Sequence, residues 1–204
     1  MVAVKRVNLI ADNEGSSTST LTKWTSATAA RRRPTMAKSY GGVRGSGSGA
    51  VKKDPHAVER AEFKSYGEDW DKTYFDESTG GYVVTEQARL DQASKSKQEK
   101  DKYDKERHMC VVAAQNGMKV EHLKDGPGEP DARIEGELHD LKSTGSHNNM
   151  AKYAKHAVRE QGAKGVFFEL TKDTAKIRSE IQSLSRQGIH GKYYFTSDNK
   201  VHDF

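Results

Sequence analysis

Halfway along the stretch Ser94–Ala114 the chain changes character. Ser94 to Glu106 is almost entirely polar, whereas Met109, Cys110, Val112, Ala113 and Ala114 cover much of the surface of the same helical stretch. A helix wet at one end and apolar at the other has to run from solvent into a core. Met109–Ala114 is also the longest apolar run in the chain. It falls far short of the roughly 20 residues that cross a bilayer, so no membrane partner is expected. Hydrophobic residues are 33% and charged residues 31% of 204, too polar for one core spanning the whole length. One domain with an appendage is expected.

The formal charge of +5 is uneven: residues 1–60 carry +7 and residues 61–204 carry −2. Residues 1–55 contain SSTSTLTKWTSATAA, the triplet Arg31-Arg32-Arg33 and GGVRGSGSG. That is the composition of a disordered, basic Ser/Gly-rich arm. Such an arm suits a polyanion, and equally a solvated tail. Its Ser, Thr and Arg content also resembles a transit peptide, whereas the apolar stretch of MVAVKRVNLIADNEG is too short for a secretory signal to be expected. Residues 56–84, with Trp70, Tyr74, Phe75 and Tyr82, read as a partly ordered lead-in, and residues 85–204 as the main domain. The single cysteine, Cys110, excludes an internal disulfide framework and groups with nothing as a zinc site. A reducing, cytoplasmic setting follows.

From Thr85, read as an N-cap, a long helix is predicted to end at Asn116-Gly117. Strands are predicted at Met118–Leu123, Ala132–Ile134 and Glu137–Ser143, the last two forming a tight hairpin about Glu135-Gly136. Asn148 or Asn149 opens a helix with Met150, Tyr153, Ala154, Ala157 and Val158 on one face. Val166–Leu170, a helix opened by Thr174 with Ile177, Ile181 and Leu184 inward, and Lys192–Thr196 complete the chain. The order α-β-β-β-α-β-α-β is that of an α/β domain.

If Glu135-Gly136 is the turn, Ala132 pairs with His139 and Asp131 faces Asp140. Lys142, two residues further on, shares that face. Two carboxylates opposed across a hairpin repel. A hard divalent cation such as Mg²⁺ or Mn²⁺ between them reverses the sign, and Mg²⁺ takes only one or two protein carboxylates. A neighbouring ammonium steadies charge developing on a phosphate. The set therefore suits phosphodiester hydrolysis. A solvated hairpin edge with chance charges is the plainer alternative, and a bulge would undo the register.

Pro130-Asp131, followed after eight residues by Asp140-Leu141-Lys142, resembles the PD-(D/E)xK nuclease superfamily. The resemblance implies a restriction-endonuclease-like α-β-β-β-α-β core, here with an extra C-terminal helix and strand. It implies a metal site at Asp131 and Asp140 with Glu106 contributed by the preceding helix, and Lys142 as the catalytic cation. Residues 100–204 further resemble the nuclease domains, many of them tRNases, at the carboxyl ends of contact-dependent growth inhibition toxins. Related domains occur in phage and mobile-element proteins. The implied partners are tRNA or DNA and an immunity protein or a virion protein, with delivery into a target cell or carriage in a virion.

Ser143 and Thr144 follow the lysine and either reach a phosphate or cap the chain's exit. Gln161, at a helix end, is a polar contact to the site or a surface residue. Lys192, with Tyr193, Tyr194 and Phe195, either meets unpaired bases or belongs to a core strand. Two other readings stay open: a non-catalytic binding module that keeps the fold, and a metal-independent ribonuclease using a histidine among His139, His147, His156 and His190.

Overall fold

The computed structural model describes residues 53–204; all but the last three residues of the arm expected over 1–55 lie outside the described residues. Helices α1 (Ala57–Ser65), α2 (Gln87–Ala93), α3 (Lys97–Gln115), α4 (His147–Glu160) and α5 (Ala175–Arg186) surround one sheet. Its strands are β1 (Trp70–Phe75), β2 (Tyr82–Glu86), β3 (Lys119–His122), β4 (Ala132–Ile134), β5 (Glu137–Thr144), β6 (Gly165–Leu170), β7 (His190–Phe195) and β8 (His202–Asp203), and they lie side by side in chain order. Helices bridge the parallel pairs β2–β3, β5–β6 and β6–β7; the remaining neighbours are antiparallel.

Each face of the sheet has its own core. Met109, Cys110, Val112, Ala113 and Ala114 of α3 pack with Val120, Ile134, Leu141 and Phe167. Met150, Ala154 and Ala157 of α4 and Ile177, Ile181 and Leu184 of α5 pack with Val166, Phe168 and Leu170. Consecutive residues of β6 thus enter opposite cores, as the two-residue period of a strand requires.

From α3 to β7 the elements follow the order read from the sequence; the region before α3 does not. The predicted lead-in contributes α1, β1 and β2, and β2 pairs parallel to β3 with Thr85 opposite His122. Thr85 is not an N-cap. Tyr82, Val83, Val84 and Thr85 are all buried, and the hydroxyls of Thr73 and Thr85 share a hydrogen bond of 2.7 Å. A run buried on both faces lacks the alternation that marks a strand. The long predicted helix also breaks at Ser94–Ser96. α3 restarts there with Ser96 Oγ accepting from the Glu99 amide at 3.1 Å. Similarly, α4 begins after Ser146 rather than at Asn148 or Asn149.

Candidate active site

The hairpin adopts the predicted register: Ala132 pairs with His139, Arg133 with Leu138 and Ile134 with Glu137. Both loop residues have positive φ, 51° at Glu135 and 83° at Gly136, as a type I′ turn demands. Asp131 lies just before β4, one step beyond the paired residues, and so comes opposite Asp140 of β5.

The two aspartates and Lys142 meet. Lys142 Nζ donates to Asp140 Oδ1 at 2.8 Å and stands 3.7 Å from Asp131 Oδ2. The Leu141 amide donates to Asp131 Oδ2 at 2.9 Å, fixing that carboxyl across the hairpin. Both aspartates are buried, and Asp140 Oδ2 has no hydrogen-bond partner. Burial, reinforced by the facing Asp140 carboxyl, pushes the Asp131 carboxyl up to about 8 against the opposing charge of Lys142. Burial disfavours the Lys142 ammonium, but the Asp131 charge and the Asp140 hydrogen bond outweigh it and raise its pKa. Lys142 is therefore a fixed cation rather than a base.

Glu106 enters a different set of contacts. Arg89 Nη2 of α2 donates to Glu106 Oε2 at 2.8 Å, and His122 Nε2 of β3 shares a hydrogen bond with the same oxygen at 3.2 Å. Lys102 Nζ lies 3.7 Å from Oε1 and pairs with Asp125. The Tyr103 ring lies parallel to His122 with centroids 5.4 Å apart, and the Arg89 guanidinium sits 5.5 Å from the Tyr103 centroid. Burial favours the neutral acid, yet the bonds from His122 and Arg89 prevail and hold Glu106 down at about 2. Among the described residues no three His, Cys, Asp or Glu side chains converge to hold a metal. The structure thus brings together the two aspartates and the lysine of the sequence-derived set, and leaves Glu106 bonded elsewhere.

The donor set still suits a hard divalent cation. Two carboxylates are the complement Mg²⁺ usually takes from protein, and one oxygen of Asp140 is uncommitted.

Of the expected substrate contacts, Ser143 opens into a hollow of about 790 Å³ shared with Glu106, Lys102 and Lys105. Thr144 Oγ1 accepts from the Ser146 amide at 3.1 Å and so caps the chain's exit toward α4. Gln161 contacts His156 at 3.2 Å and the Glu129 carbonyl at 3.5 Å. Lys192 pairs with Asp203 at 2.6 Å and borders a separate hollow with His139, Lys164 and His190. His139 bonds the Glu137 carbonyl at 2.8 Å and follows the strand period onto the face opposite Asp140. The sequence reading missed Arg89 and His122. His122 carried a signal, because it alternates with Val120 along β3; Arg89, in a polar helix, carried none.

The CdiA-CT/CdiI toxin and immunity complex from Burkholderia pseudomallei is similar at 21% identity, covering 49% of this chain and 81% of that one, with a TM-score of 0.41. No curated protein matches the chain. Residues 128–201 match the family model of the contact-dependent growth inhibition CdiA C-terminal domain, a span that takes in both aspartates and Lys142 and leaves out Glu106.

Proposed function

We propose that the domain is a metal-dependent endonuclease with a restriction-endonuclease-like core, acting as a growth-inhibition toxin. The observation that carries this reading is the buried Asp131–Asp140 pair, one oxygen unpartnered, with the Lys142 ammonium against it. The similarity of residues 128–201 to contact-dependent growth inhibition CdiA C-terminal domains supports the toxin role.

Asp131 and Asp140 would hold Mg²⁺ or Mn²⁺. Bound there, the cation would neutralise a phosphate oxygen and acidify an attacking water. The Leu141 amide keeps Asp131 aimed at the site. Lys142, charged across the working pH range, attracts the scissile phosphate and stabilises charge that builds on it. Glu106, ionised and bonded to Arg89 and His122, adds negative potential behind the pair without touching it.

A cleavage assay against tRNA and DNA, titrated with Mg²⁺ and Mn²⁺, tests the proposal. EDTA should stop cleavage, Asp140→Ala should abolish it, and Lys142→Ala should slow it by roughly 10²–10³, the loss typical of one charge-stabilising group. Cleavage that persists in EDTA would overturn the metal mechanism in favour of a histidine-based one. Binding without cleavage under every metal would favour a non-catalytic module.

A further inference from the structure

A second hollow, of about 470 Å³, shares Lys142 with the carboxylate pair. Its other walls are Lys152, Tyr153, Lys155, His156 and Arg159 of α4, with Glu160 at the rim. Spacings of three, four and seven residues put Lys155, His156 and Arg159 on the same side of the helix as Lys152. Glu160 is engaged by His156 at 3.3 Å. Among the described residues no carboxylate pairs with Lys152, Lys155 or Arg159, all three of which are exposed. Lys142 has its charge answered by Asp131 and Asp140; the three helix cations have theirs unanswered.

We propose that this hollow receives the phosphodiester backbone of a nucleic-acid strand, with Lys152, Lys155 and Arg159 contacting successive phosphates and Lys142 where the strand meets the carboxylate pair. The inference rests on the nuclease reading and gives its substrate a path. At 1.5 Å rise per residue the stripe from Lys152 to Arg159 runs about 10 Å. A helically stacked strand carries a charge every ~3.4 Å of its axis, so about three phosphates face three cations. An acidic protein is the less suitable occupant, because the hollow leads to Lys142 and a phosphodiester has to arrive there.

The test measures binding of the full chain carrying Asp140→Asn, in EDTA so that cleavage plays no part, to fluorescent oligo(U) and oligo(dT) across a salt series. Lys152→Ala/Lys155→Ala/Arg159→Ala should flatten the log K against log salt slope by about 2 and weaken binding about a hundredfold at 0.1 M salt, given ~0.7 per contact on single strands. Lys155→Glu alone should weaken it in the same direction. An equal charge change on exposed positions elsewhere, Lys172→Ala/Lys176→Ala/Arg186→Ala, should leave the slope near its starting value. Equal losses in the two triple variants, or none in the first, would overturn the proposal and leave the hollow to an acidic protein. Hydrolysis of bis(4-nitrophenyl) phosphate with Mn²⁺, measured with Asp140 intact, separates the two readings. If the α4 triple hydrolyses it like wild type while losing polymer binding, both readings stand. If wild type cleaves nothing yet binding depends on α4, the nuclease reading falls and the binding surface remains.

Discussion

At the scale of single residues, the site stores an electrostatic conflict that a pH scan can read. Asp131 has its carboxyl raised to about 8 by burial and by the facing Asp140 carboxyl. Between pH 4 and 8 the folded protein holds a proton that the unfolded chain has released. Metal-free stability therefore falls as pH rises through that window, by up to about 1.4 kcal/mol per pH unit from this group. Asp131→Asn, neutral at every pH, should remove that slope, unfold later than wild type at pH 9 in EDTA, and lose cleavage. Denaturant melts at pH 5 and pH 9 check this; a wild type as stable at pH 9 as the variant would mean the carboxylates do not oppose one another. Glu106 has the opposite sign. Held at about 2 against burial by His122 and Arg89, it contributes stability above pH 4.5 that is lost as pH falls toward 2. Glu106→Ala takes the closest partner from the fully buried Arg89, leaving it only Glu99 at 3.9 Å, and should cost about 3–5 kcal/mol, measured as a drop in denaturation midpoint.

At the scale of elements, two close fits decide whether the site forms. One is the hairpin turn, whose paired positive φ values fix the register that sets Asp131 opposite Asp140. The other is the approach of β2 to the end of α3. A Cβ on Gly81 would lie 2.0 Å from the Ala114 carbonyl oxygen, so Gly81→Ala has to push helix and strand apart. The expected cost is about 1–3 kcal/mol or more, visible in a thermal melt, with some loss of cleavage because α3 also carries Glu106. The turn was legible because Glu-Gly between two strand-like runs has a local physical cause. The strand Tyr82–Glu86 was not, because covering both faces of a strand erases its period. The helix break at Ser94–Ser96 was equally hidden, since polar residues suit an exposed helix and a loop alike.

At the scale of the whole molecule, the sheet gathers groups from separate elements into one charged centre, so a cation that binds it should stabilise the fold. At a hundred times its dissociation constant, Mg²⁺ or Mn²⁺ contributes about 2.7 kcal/mol. In a domain of this size that raises Tm by roughly 5–10 °C. Scanning calorimetry should show that rise for the wild type and none for Asp140→Asn; a rise kept in the variant would place the cation elsewhere. The sequence by itself determined the alternation of elements from α3 to β7, the hairpin and its register, and therefore the meeting of Asp131, Asp140 and Lys142. Those follow from short-range rules of periodicity, turn chemistry and pairing, which act between residues close along the chain. Tertiary structure alone decided that β2 joins β3, that Arg89 and His122 take hold of Glu106, and that the cations of α4 share a wall with Lys142. Those contacts join residues far apart in sequence, and they exist only once packing has chosen which faces of the sheet and helices are buried together.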